Sequence, residues 1–137
     1  MTDDTVSEVR KNEPPLHILL VVEDDGEIGA FLTDALHEIT PYHPFHVTNA
    51  VQALEAVATI TPSLFILDYH LPGIDGLELA DRLRTIKGLE SVPILMLSAT
   101  PPSRKALQQR GIHFLAKPFD LGALLEAVEQ LLPKKPG

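Results

Sequence analysis

The chain has 137 residues, 45% of them hydrophobic, and 11 Lys+Arg against 19 Asp+Glu, a formal charge of −8. That length suits one core-forming domain. The acidic balance argues against nucleic acid or an anionic membrane as the primary partner. The absence of cysteine excludes disulfides, thiolate chemistry and cysteine-held metals.

In chain order, Met1 to Pro15 is polar and acidic with little to bury. It predicts a disordered tail over 1–15 and does not resemble a signal peptide. Apolar runs follow at Ile18–Val22, Phe45–Thr48, Leu64–Leu67, Ile94–Leu97 and Phe114–Ala116. The first, third and fourth are almost continuously apolar, as strands buried on both faces of a parallel sheet are. Helical spacing fills the gaps. Ile28, Phe31, Leu32, Ala35, Leu36 and Ile39 mark a first helix, with Asp25 as its cap. His37, His43 and His46, broken by Pro41 and Pro44, read as an irregular loop rather than a metal site. Leu54, Val57 and Ala58 mark a second helix, with Asn49 and Gln52 as a capping pair. Leu77, Ala80, Leu83 and Ile86 mark a third. Ser103–Arg110, ending at Gly111, is a short fourth. Asp120 caps a fifth that carries Leu121, Leu124, Leu125, Val128, Leu131 and Leu132. Residues 134–137 are expected to form a short tail after a domain spanning 16–133. No apolar run is long enough to span a membrane, so the expected setting is cytoplasmic.

Strands alternating with helices predict an α/β, doubly wound sandwich on a parallel sheet. Such folds bind ligands beyond the carboxyl ends of the strands. In this chain those ends carry Glu23-Asp24-Asp25, Asp68, Ser98 and Lys117-Pro118. Carboxylates brought together there cannot all stay ionised without a counter-charge. A hard divalent cation such as Mg²⁺ supplies one, and Lys117 supplies another. The pair suits a phosphoryl group, for which an aspartate can be the nucleophile.

The runs Ile18–Asp25, Leu67–Gly76, Met96–Ala99 and Ala116–Phe119 together resemble the receiver domain of two-component response regulators, over about residues 16 to 133. The resemblance implies a (βα)5 flavodoxin-like fold with strand order 2-1-3-4-5. It implies phosphorylation on Asp68, and Mg²⁺ held by Glu23, Asp24, Asp68 and the backbone carbonyl of His70. Ser98 is then the switch hydroxyl, Lys117 the phosphoryl-contacting lysine and Phe114 the aromatic switch residue. The side chain of His70, with Thr100, is expected to tune dephosphorylation. Pro72 and Gly76 shape the loop after the third strand, and Pro118 is expected to follow a cis bond. The implied donor is a histidine kinase or histidine phosphotransfer protein. If residue 137 is the natural end, output is expected by protein contact, pairing with a second copy included; if the chain is a fragment, an effector region has been removed. The implied role is that of a regulatory phosphoacceptor, not an enzyme.

The stretch from Ser98 to Lys117 is shorter than is usual for the family and carries Pro101-Pro102, so a short fourth helix and an altered output face are expected. Three other readings are weighed. A haloacid-dehalogenase-like phosphatase needs Asp-x-Asp after the first strand. A flavin-binding relative needs a Ser/Thr/Gly-rich loop there. Glu23-Asp24-Asp25 supplies neither. A receiver that binds partners without phosphorylation would have no use for the acceptor residues, which are all present.

Overall fold

A computed structural model describes residues 17–132. The expectations for 1–15 and 134–137 lie outside the described residues. The elements are β1 (Ile18–Val22), α1 (Gly26–Ile39), β2 (His43–Val47), α2 (Ala50–Ala56), β3 (Leu64–Asp68), α3 (Gly76–Arg84), β4 (Ile94–Ser98), α4 (Arg104–Arg110), β5 (His113–Ala116) and α5 (Leu121–Leu131). The strands form one parallel sheet in the order β2-β1-β3-β4-β5, as the resemblance implied.

The near-continuous apolar runs are the three central strands: β3 and β4 are buried throughout and β1 from Leu19 onward. Alternation of side chains then sorts each strand between two faces. Leu20, Val22, Phe65, Leu67 and Met96 pack with Ala53, Leu79, Leu83 and Leu107 of α2, α3 and α4. Leu19, Val21, Ile66, Leu95 and Leu97 pack on the other face with Leu32 and Leu36 of α1 and Leu124 and Val128 of α5. Burying each of the Val, Leu, Ile, Phe and Met side chains among them is worth about 1.5–3 kcal/mol. The core is therefore a rigid slab, and its polar groups gather where the strands run out.

Helix starts follow the capping chemistry. Asp25 accepts from the amides of Glu27 and Ile28, Asn49 from Gln52, Asp75 from Glu78, Ser103 from Ala106 and Asp120 from Ala123. Gln52 reaches back one residue beyond the cap, to the Thr48 amide. Gly111 ends α4 at φ +62°, a left-handed backbone that glycine adopts without a Cβ penalty. α4 is short, as expected.

Several boundaries differ: Ile86, Leu132 and Ala58, expected in helices, lie just past α3, α5 and α2. The segment from His37 to His46 is not an irregular loop: α1 runs through His37 to Ile39, and β2 starts at His43. Pro44 is tolerated because β2 is an edge strand, where one side of the backbone needs no partner. α2 ends at Ala56, with Val57 as its cap rather than a helical residue.

Candidate functional site

The order β2-β1-β3 reverses the winding direction at β1, so a crevice opens beyond the ends of β1 and β3. Glu23 is the first residue past β1, and Asp68 is the last residue of β3. Both are acids with almost no solvent exposure, 2% and 6%. Asp24 beside them is exposed. Carboxylate oxygens of Glu23, Asp24 and Asp68 lie within 4.8 Å of one another.

Lys117 arrives from the end of β5 and donates through Nζ to Glu23 Oε1 at 3.0 Å and to Asp68 Oδ2 at 3.4 Å. Its own amide donates to the Ser98 carbonyl at 2.9 Å, and the Lys117–Pro118 bond is cis. Burial pulls the lysine pKa down, but the hydrogen bond to Glu23 and the charges of Asp68 and Glu23 outweigh it, so the group sits above its ordinary value. The carboxyl of Asp24 is also held above its ordinary range, by desolvation and then by a hydrogen bond with Glu23 and its charge. Three carboxylates against one ammonium leave negative charge in excess. All the side-chain acceptors are hard oxygens. This ligand set fits a small divalent cation.

The remaining side-chain hydrogen bonds of Asp68 and Glu23 are local. The His70 amide donates to Asp68 Oδ1 at 3.2 Å and the Asp25 amide to Glu23 Oε2 at 3.2 Å. Gly76 opens α3 directly under the site. A Cβ there would stand 2.7 Å from the Asp68 carbonyl oxygen and 2.9 Å from Tyr69 Cα, so only glycine lets α3 approach so closely. Pro72 and Gly73, the latter at φ +87°, turn the intervening loop.

Ser98, fully buried at the end of β4, points its hydroxyl into its own loop. It donates to the Thr100 carbonyl at 2.7 Å and accepts from the Thr100 amide at 3.1 Å. The Thr100 hydroxyl meets His70 Nε2 at 2.6 Å. The loops after β3 and β4 are thus tied across the mouth of the site. Phe114 is half-buried. It lines a cavity of about 620 Å³ together with Pro101, Pro102, Leu107 and Ile112, with Arg104 and Gln108 at its polar edge.

The structure therefore brings Glu23, Asp24, Asp68 and Lys117 into one cluster, and Ser98, Thr100 and His70 into a second, adjoining one. Phe114 stands apart on the α4 side. The three histidines of the 37–46 segment do not converge: among the described residues only Glu23, Asp24 and Asp68 form a group able to hold a metal. One contact was missed from the sequence. His46 Nε2 lies 2.8 Å from the Glu23 carbonyl oxygen. The expected strand at Phe45–Thr48 contained His46, but reading the histidines of 37–46 as part of an irregular loop hid the contact. Alternation of exposed His43 and Phe45 with inward Pro44 and His46 was the available signal.

Comparison with known proteins identifies the family. The family model for the response regulator receiver domain matches residues 19–129. The chain is 31% identical over 121 residues to sporulation initiation phosphotransferase F of Bacillus subtilis, covering 85% of this chain and 94% of that one. It is 33% identical over 117 residues to the sensory/regulatory protein RpfC of Xanthomonas campestris pv. campestris. There it covers 82% of this chain but 16% of the relative, which is far longer. Among solved structures, response regulator TrrA of Thermotoga maritima, in complex with Mg(2+)-BeF, superposes with a TM-score of 0.74. Its identity is 31%, covering 85% of this chain and all of that one. With the family model spanning nearly the whole described chain and the acidic cluster at the predicted strand ends, the chain belongs to the response regulator receiver domains.

Proposed function

We propose that this receiver accepts a phosphoryl group on Asp68 from a phosphohistidine of a histidine kinase or phosphotransfer protein. The observation that carries the proposal is the buried Asp68 carboxylate, in contact with Lys117 and within 4.8 Å of two further acids. The Bacillus relative is a phosphotransferase, and the Thermotoga relative was solved with Mg(2+)-BeF.

In this reading an Asp68 oxygen attacks phosphorus. The P–N bond of the donor breaks, the imidazole leaves with the electron pair and takes up a proton, and an acyl phosphate forms. Lys117 offsets charge on the transferring oxygens as a mobile point charge. Glu23, Asp24, Asp68 and the His70 carbonyl are the groups that would hold Mg²⁺, which when bound neutralises phosphoryl oxygens. Ser98 leaves the Thr100 carbonyl for the phosphoryl group, Phe114 follows, and the α4 side changes shape. This is a shift between two populations of one fold. The chain assists only its own phosphorylation and dephosphorylation, as a regulatory phosphoacceptor. A kinase-derived donor sets the reaction in the cytoplasm, and output passes by protein contact.

The test is intact mass after incubation with Mg²⁺ and acetyl phosphate, for wild type and Asp68→Asn. A Mg²⁺-dependent gain of about 80 Da in wild type alone supports the reading. No adduct and no beryllofluoride binding, in a folded protein, would reduce the domain to a phosphorylation-independent interaction module.

A further inference from the structure

We propose that His46 is a positioning residue for the acidic pair Glu23-Asp24, holding the Glu23 backbone so that both carboxylates face the crevice. The inference rests on the reading of that pair as part of a cation site. β1 pairs with β2 as far as Val22↔Val47, and the Glu23 amide still donates to the Val47 carbonyl at 3.1 Å. One step further on, the chain must leave the sheet, because Asn49 is already capping α2. At that point the His46 ring takes the Glu23 carbonyl at 2.8 Å. A carbonyl oxygen only accepts, so Nε2 carries the proton and donates. Glu23 is thus gripped by β2 at both its N–H and its C=O, and its side chain and that of Asp24 follow from this backbone.

The fold makes room for the ring. Gly29, buried on α1, faces His46 so closely that a Cβ would stand 2.0 Å from Nε2 and 2.2 Å from Cε1. The imidazole occupies the volume that any other residue at position 29 would fill. A glycine inside a helix is unfavourable relative to alanine, and the seating of this ring accounts for its presence. Partners that orient the groups around a metal are known to matter to affinity without touching the ion.

The test uses three variants of the full chain. His46→Leu keeps bulk without a donor. His46→Gln restores a donor. Gly29→Ala evicts the ring while favouring the helix, so that loss of fold does not explain its effect. Mg²⁺ affinity is measured by titration calorimetry. The metal-free state is read from the NMR resonances of the Glu23 carbonyl carbon and the Asp24 amide. His46→Leu and Gly29→Ala are expected to weaken Mg²⁺ binding roughly 3- to 10-fold and to shift both resonances, with His46→Gln returning both towards wild type. Unchanged affinity and resonances in His46→Leu and Gly29→Ala would overturn the positioning role, and so would an equal loss in His46→Gln. Should wild type bind no Mg²⁺, the cation reading fails, and the metal-free resonances alone decide whether His46 holds Glu23.

Discussion

Replacing Lys117 by Met tests the charge balance of the site. Methionine keeps most of the aliphatic stem and removes the ammonium. In the metal-free protein the ammonium is the counter-charge in contact with Glu23 and Asp68, at 3.0 and 3.4 Å. At an effective dielectric of about 20, a pair about 3 Å apart attracts by about 5 kcal/mol, before desolvation is subtracted. Removing one member of a fully buried pair costs about 3–5 kcal/mol. The Lys117 side chain keeps 25% of its surface exposed while Glu23 keeps 3%, so solvent screening brings the cost to about 2–3 kcal/mol. For a domain of this size, that lowers Tm by roughly 8 °C.

The informative arm is the same comparison in saturating Mg²⁺. A bound divalent cation supplies the counter-charge that Lys117 supplied, and the two cations repel. Lys117→Met should therefore bind Mg²⁺ more tightly than wild type, and by linkage Mg²⁺ should restore more stability to the variant than to wild type. Differential scanning fluorimetry across a Mg²⁺ series gives both quantities. The gap in Tm should narrow as Mg²⁺ rises. A gap that stays constant, with equal Mg²⁺ affinities, would refute the claim that lysine and cation share one acidic cluster. On the proposed function, the same variant should also fail to accumulate acyl phosphate, because it lacks the lysine proposed to contact the phosphoryl group.

Three further outcomes are expected. Gly76→Ala should cost about 1–3 kcal/mol in urea unfolding, because its Cβ meets backbone atoms of Asp68 and Tyr69 that cannot rotate away. It should also weaken Mg²⁺ binding, since α3 can then only retreat by moving Asp68. His70→Ala and Thr100→Val should each change the lifetime of the acyl phosphate. The double variant should change it no more than the larger single change does, because each removes the same 2.6 Å hydrogen bond. Independent effects would refute that coupling. The Tyr42 hydroxyl donates to Glu129 at 2.6 Å, and burial, that bond and the Glu129 charge push its pKa up to about 12. A folded pKa above the unfolded value of 10.0 means the contribution to stability is complete below pH 10 and is lost as pH rises toward 12. Wild type should lose stability over that window, and Tyr42→Phe should lose less. Tyrosinate absorbance and unfolding midpoints measured in parallel check this.

The central strands were legible because burial on both faces leaves no room for polar residues, so Leu64–Leu67 and Ile94–Leu97 announce themselves as uninterrupted apolar runs. The site was legible for the complementary reason. Glu23, Asp68 and Ser98 are polar residues at the point where such a run stops, and acids only 2% and 6% exposed need a reason that local structure does not provide. Edge strand β2 had no such signature. With one face half-exposed and one edge open, it tolerates two histidines and Pro44, and its composition matches a loop. The bond from His46 to Glu23 was invisible for a further reason. It joins residues 23 apart, and it exists only in the register that sets Val21 opposite His46 and Val22 opposite Val47. Shifting that register by one residue would turn the ring to the other face of the sheet. A side chain that orients the backbone of a neighbouring strand can therefore be recognised only after strand pairing is known, whereas a side chain that does the chemistry can be recognised from the end of its own strand.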